Sequence, residues 1–556
     1  MNPLAVTTAY VSFGLLLVFT CIRWLFGSSN DKYRHLPLPP GPARLPILGN
    51  LLEAPTSKPF KHWLALSKTY GPVMYIDIAG QPLVLLHSNE AAQDLLAKRA
   101  ARYSDRPRMP LLELMEDAGA YGAKFIVGRQ YDSTFRLHHR MLASGMTSTC
   151  APRFQALMQL ETAQMVRDLL REGAVAGAGA GTISSKTVET HFSRMQGSVV
   201  LGLLYSMRFA TADDPVLVEN EDVLRDLGNL GRGSPVLQLF PSLTRLPAFL
   251  SPWAGPARAV RARETPLATR NLAAGLEAPG WNLAKQATDI ASRNGIPDTE
   301  LAYTLYESAV AGMESTPQAL LWVLVALLHQ PCDAIARAQE VLDRVVGRGR
   351  LPTFADRADL AYVDAIIYET MRWRPVAPDG VPHRCVAGDE YKGMRIPPNT
   401  LVLANTWGLG REEAIFGGKR DGSTGRWEFD VEEFIPERWL EKEEGSDKLR
   451  FRTDLPIAIF GFGRRTCVGR RIAEDGVFVA VARLLWAFTI RAAGVRPDPD
   501  GISPTALTVS PAVFDLELKP RGDWVSGVVE REWAALEKAE FVVTGRYDGY
   551  TEPKTA

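Results

Sequence analysis

The 556-residue chain predicts a mainly α-helical protein with small β-sheets, an α+β body preceded by one N-terminal transmembrane helix. Three observations carry this expectation. Apolar residues recur at helical spacing through several long segments. Runs rich in β-branched residues are short and few. Residues 4–26 are an apolar stretch whose one charge is Arg23, and about 20 such residues suffice to cross a ~30 Å hydrocarbon core.

In chain order, positive charge follows that stretch, at Arg23, Lys32 and Arg34, and does not precede it. This order favours an uncleaved anchor over 1–30, with the body on the cytoplasmic side, over a secretory signal peptide. Pro37-Leu38-Pro39-Pro40-Gly41-Pro42 then excludes helix, because proline fixes φ and lacks an N–H, and a stiff hinge is expected over 31–42. Residues 71–87 read as a hairpin split at Gly80-Gln81-Pro82, and a short helix follows at 91–96. Helical periodicity marks 154–170, 188–204, 299–328, 333–346 and 360–372. The Ala-Gly run 174–181 reads as a surface connection. Short strands are expected at 401–404 and 513–518, and no internal repeat is present.

Composition narrows the function. Lys plus Arg and Asp plus Glu both total 63, so no overall basic field points to nucleic acid. An apolar fraction of 46% supports a large core without disulfides. The five cysteines, Cys21, Cys150, Cys332, Cys385 and Cys467, are odd in number and scattered, with no CxxC pair, which suits a reducing compartment. Four read as ordinary buried thiols.

Cys467 differs. Phe460-Gly461-Phe462-Gly463-Arg464-Arg465-Thr466-Cys467-Val468-Gly469 places it in a loop whose glycines let the backbone approach a flat ligand closely. A helix follows from Arg470. Helix N-terminal amides, with Arg464, Arg465, Arg470 and Arg471, favour the thiolate, which is the form a metal requires. Further upstream, Glu369 and Arg372 stand three apart on one helical face and can pair. Phe434-Ile435-Pro436-Glu437-Arg438-Trp439 lies between that pair and the cysteine. Within the long helix beginning near Thr299, Gly312 removes a side chain where a ligand could approach, and an acid and a hydroxyl follow at Glu314 and Ser315.

These motifs, in this order, resemble those of the cytochrome P450 family. The loop matches FxxGxRxCxG at Phe460, Gly463, Arg465, Cys467 and Gly469, an agreement expected by chance roughly once in ten thousand such chains at average composition. Glu369 to Arg372 matches ExxR, 434–439 resembles FxPERW, and Ala311 to Ser315 resembles [AG]Gx[DE][TS], with serine where threonine is usual. The resemblance implies haem b with Cys467 as axial thiolate, a donor that favours O–O cleavage. It also implies a buried structural network of Glu369, Arg372 and Arg438. Glu314 and Ser315 would relay protons to dioxygen through water. Haem contacts are expected from Phe460 and Gly461, and propionate contacts from Arg465 and His383, with Arg384 the alternative to His383. The helix over 131–142 resembles WxxxR but carries Phe135 and His139, leaving His139 as the one possible donor there.

The resemblance runs from the proline segment to about Arg521 and implies a catalytic domain over 43–522 and an extension over 523–556. It further implies a monooxygenase in the endoplasmic reticulum membrane, acting on a lipophilic small molecule, with specialised metabolism as the expected setting. Electrons would come from NADPH through a separate flavoprotein reductase, with cytochrome b5 as a further partner. Arg136, His138, Arg140, Arg464, Arg470 and Arg471 are candidates for a docking patch. Substrate contacts are expected from 102–128, the oxygen helix, 376–381 and 511–514. Two other readings remain at this point: an isomerase or dehydratase of the same fold that needs no dioxygen, and a non-catalytic membrane haem protein. Residues 417–429 form a polar insertion.

Overall fold

The computed structural model describes residues 31–538 apart from 56, 116–124, 148, 176–181, 233–235, 238–239, 330–332, 420–427, 447 and 506–507. The expected anchor over 1–30, Cys21, Cys332, most of the polar insertion and the end of the chain lie outside the described residues. The fold is mostly helical with small sheets. It divides into two compact units.

The smaller unit comprises Met1–Pro107, Asp379–Leu409 and Phe462–Arg465. Its frame is the hairpin Val73–Ile78 and Gln81–Leu86, paired antiparallel. Gln81 and Pro82 already belong to the second strand, so the turn is tighter than expected: Ala79 and Gly80 alone make it, both at positive φ, 50° and 83°. Leu401–Ala404 adds in parallel to Gln81–Leu86, and His383–Arg384 adds antiparallel beyond it. Trp63, Met74, Ile76 and Leu85 form the apolar cluster on this sheet. The proline run is seated on the same frame. Proline carbonyls still accept, and Tyr75 N–H donates to Pro40 O at 2.9 Å and Arg395 N–H to Pro37 O at 2.7 Å. Contact is so close at Gly41 that a Cβ there would fall 1.9 Å from Tyr75 O.

The larger unit comprises Arg108–Pro378, Gly410–Gly461 and Thr466–Ala556. Its axis is the 32-residue helix Asp298–His329, buried along most of its length against Ser185–Tyr205 and Ala254–Glu277. Among the described residues this is the one helix long and apolar enough to cross a membrane, and its burial makes it a core helix. Ala151–Val175 and Arg470–Ala487 pack beside each other in the same core. Phe488–Ala492 pairs with Asp515–Pro520, which pairs with Thr182–Ser184. Past the sheet, Trp524–Lys538 forms a helix against Ala151–Val175. Arg167 pairs there with Glu530 at 2.9 Å and stacks 3.5 Å from the Trp533 ring centre. The described part of the C-terminal extension is thus tied to the body.

Candidate functional site

In the larger unit, Cys467 lies in a loop closed by its own N–H, which donates to Phe460 O at 2.8 Å. Gly469 caps the helix Arg470–Ala487, and the amides of Gly469 and Arg470 are directed at the thiol. The side chain is accessible, yet burial by the surrounding loop is the main influence on it. That burial pushes the thiol up and outweighs the amides and Arg470. Arg470 and Arg471 favour the thiolate less than expected because each has a carboxylate of its own, Glu474 at 2.8 Å and Asp475 at 3.0 Å.

The central helix of this unit is buried through its middle except on one stripe. Ser308, Gly312 and Ser315 are half-buried and Ala311 is exposed, positions three and four apart that share a face. Ser315 Oγ–H donates to Ala311 O at 3.0 Å, leaving its lone pairs toward accessible space. Glu314 is buried; its Oε1 accepts from Thr508 N–H at 2.9 Å, from Thr508 Oγ at 2.7 Å and from Thr505 Oγ. Gly312 serves a different purpose from the one its sequence suggests. A Cβ on it would lie 2.9 Å from Val200 Cγ2, and its carbonyl accepts from Gln196 Nε2 at 3.0 Å. The missing side chain admits the neighbouring helix, and Ala311 is the small residue facing open space.

Glu369 and Arg372 make two parallel hydrogen bonds of 2.8 and 2.7 Å, and Arg438 Nε approaches Glu369 Oε1 at 3.3 Å. All three are buried. Trp439 Nε1–H and Ile435 N–H donate to the same carboxylate at 2.9 Å each. Arg372 also donates to the carbonyls of Gly410 and Val431, at 2.8 Å each, and of Glu433, at 2.9 Å. Burial would raise Glu369, but Arg372, Arg438 and the Ile435 amide outweigh it and hold the carboxyl below its usual range. The network fastens the 410–439 segment to the helix Ala361–Trp373.

In the smaller unit, three nitrogenous side chains gather. Arg465 Nε donates to Ser104 O at 2.7 Å, and His383 Nδ1 lies 2.7 Å from Tyr103 O, which makes it the donor and Nε2 the bare nitrogen of the neutral ring. Arg106, which no sequence motif singled out, donates to Val381 O at 3.1 Å and Pro382 O at 2.7 Å. Burial first, then Arg465, brings Arg106 down to about 9. Burial, Arg106 and Arg465 together bring His383 down to about 3. Cationic groups that disfavour one another's charge form a site for an anion.

The donor types are those an iron porphyrin bearing two carboxylates requires: an accessible thiol under helix amides, which the larger unit carries, and cationic nitrogen donors, which the smaller unit carries. Phe135 is buried and its ring lies 5.8 Å from that of the half-buried His139. His138, expected on a docking surface, is instead fully buried, with Nε2 3.0 Å from Glu300 Oε1 and Nδ1 3.1 Å from Thr304 Oγ. Its position on the inner face of the helix Ser133–Gly145 removes it from any patch, while Arg136 and Arg140 are exposed.

The family model for cytochrome P450 matches residues 39–516. The chain is 32% identical over 551 residues to an echilunin cytochrome P450 monooxygenase of Aspergillus ruber, covering 98% of this chain and 94% of that relative. It is 34% identical over 495 residues to cytochrome P450 monooxygenase aneD of Aspergillus aculeatus, with 87% and 88% covered. It is 31% identical over 517 residues to cytochrome P450 monooxygenase 58 of Postia placenta, with 90% and 91% covered.

Proposed function

Because the chain belongs to the cytochrome P450 family and is a monooxygenase, we propose that it inserts one oxygen atom of dioxygen into a lipophilic small molecule of specialised metabolism. The observation that carries this reading is Cys467: an accessible sulfur, set under the amides of Gly469 and Arg470, would supply the thiolate that holds the haem iron. Bound there, the haem supplies activation of dioxygen, and the thiolate's electron donation favours O–O cleavage. Phe460 and Gly461 frame the ligand loop. Arg465, His383 and Arg106 would hold the propionates, and an anion beside His383 would favour a proton on its Nε2, converting it to a donor. His139 is a further propionate donor when protonated.

Ser315 and Glu314 govern proton supply. Since the Ser315 hydroxyl hydrogen is engaged with Ala311 O, Oγ accepts a hydrogen bond from water on the accessible stripe and holds that water in place. Glu314 Oε1 is held by Thr505 and Thr508, which fixes the carboxyl group one residue before Ser315. Ser315→Ala is expected to lower product formed per NADPH consumed by roughly tenfold, with little change in NADPH consumption. Product and hydrogen peroxide assays check this.

Electrons are assigned to NADPH through a separate flavoprotein reductase, with cytochrome b5 as a second donor. The exposed Arg136 and Arg140 are candidates for steering either one. Residues 1–30 would anchor the chain in the endoplasmic reticulum membrane with the body in the cytoplasm. The fungal relatives, one of them named for echilunin, support a specialised metabolite as substrate. Reconstitution with a reductase and a panel of lipophilic fungal metabolites tests the reading. Oxygen uptake that requires both NADPH and one of the panel supports it, and product formation without dioxygen contradicts it.

A further inference from the structure

Glu300, Glu307 and Glu314 stand seven residues apart on the helix Asp298–His329. At about 100° per residue they share one face, roughly a quarter turn from the accessible stripe of Ser308, Ala311 and Ser315. All three are buried, and each holds groups outside the helix. Glu300 takes Arg129 at 2.5 Å and His138 at 3.0 Å, while Glu314 takes the Thr505 and Thr508 hydroxyls. Glu307 differs in that its hydrogen bonds go to two consecutive backbone amides: Val127 N–H at 2.7 Å and Ile126 N–H.

The same segment is held at its far end by Arg129 on Glu300 and turns on itself through Gly128 N–H to Phe125 O at 3.0 Å, while Glu307 takes the two amides between. Phe125 enters a satellite apolar cluster with Met115, Leu230 and Val260, separate from the main core. Ile126 packs on the main core, the Val127 side chain is exposed, and Gly128 lies against Met109 and Leu112. Two adjacent amides aimed at one carboxyl group set the direction of the backbone without using the side chains of Ile126 or Val127. Glu307 is also one helical turn before Ala311. The segment is thus fastened one helical turn along from the accessible stripe at Ala311 and Ser315.

We infer that Glu307 is a positioning residue for substrate selection: it pins 125–129 to the central helix and so fixes one wall of the space beside Ala311 and Ser315. The contacts stand on the structure alone, and their consequence for selection rests on the monooxygenase reading. Burial pushes the Glu307 carboxyl up to about 8, against the two amides and Arg129 and with Glu264 adding to the rise. At neutral pH glutamine is then a close mimic of the side chain, retaining one of its two acceptor oxygens.

The test uses the full-length haem-loaded protein. Single-amide hydrogen exchange should show Ile126 and Val127 protected in the wild type, by at least about tenfold over the unstructured rate, the worth of roughly one net hydrogen bond. Glu307→Leu should remove that protection, and Glu307→Gln should keep part of it. Spectral titration with imidazole and 4-phenylimidazole should give a ratio of dissociation constants altered by about threefold or more in Glu307→Leu and returned toward the wild-type value in Glu307→Gln. Unprotected amides in the wild type, or an unchanged ratio in the leucine variant, would overturn the inference. If the leucine variant does not take up haem, the wild-type protection and the glutamine variant decide. A wild type that shows protected amides but no thiolate-type carbon monoxide spectrum sinks the monooxygenase reading instead.

Discussion

Cys467→Ala is expected to reduce substrate oxidation to background while leaving the protein folded. The side chain is accessible and fills no part of the core, so its loss costs less than about 1 kcal/mol, as is usual for exposed positions. The loop keeps its closing hydrogen bond from residue 467 N–H to Phe460 O, since that bond is made by backbone. What disappears is the sulfur donor, for which alanine and the helix amides offer no substitute. Thermal unfolding close to that of the wild type, together with lost product formation, is the expected pair of results. Retained turnover would remove Cys467 from the chemistry.

The second large effect is structural. Glu369→Ala leaves Arg372 and Arg438 buried beside each other without their shared carboxylate, and leaves the Trp439 and Ile435 N–H groups without an acceptor. Breaking a buried pair in this way costs about 3–5 kcal/mol, a large share of a total stability of about 5–15 kcal/mol. The expected outcome is failure to accumulate haem-loaded protein, measured as haem absorbance per unit of purified chain. Glu369→Gln keeps an acceptor and should lose less. Acid provides an independent check. The folded carboxyl titrates below its ordinary value of 4.5, so its contribution is complete above that pH and is lost as pH falls through the lower folded value. The stability gap between wild type and Glu369→Gln should therefore narrow on acidification below about pH 4.5.

Features legible in the sequence were those whose chemistry is local. The hairpin at 73–86 shows as two short apolar runs around a turn, the Glu369–Arg372 pair as a three-residue spacing on one helix, and the cysteine loop as a dense motif beside a helix start. What escaped depended on partners distant in sequence. Arg106 gains its meaning from Arg465 and from the carbonyls of Val381 and Pro382, and nothing around it at 104–107 announces this. Gly312 suggested room for a ligand, whereas Val200 decides what its missing side chain admits. His138 reads as a surface cation in the sequence, and only the fold shows Glu300 and Thr304 around it. The seven-residue spacing of Glu300, Glu307 and Glu314 in an apolar helix was a readable signal for buried carboxylates, but only the fold shows which segments they hold.

On the proposed reading, proton supply and substrate selection fall on neighbouring faces of one helix, with Ser315 and Ala311 on the open stripe and Glu307 and Glu314 on the adjoining buried face. Both would depend on haem held through Cys467. The carbon monoxide difference spectrum of the reduced, full-length protein tests that point most directly. A Soret band displaced far to the red of that given by histidine-ligated haem, and absent from Cys467→Ala, is the expected result. A band at the histidine position in the wild type, or a displaced band that survives Cys467→Ala, would contradict it.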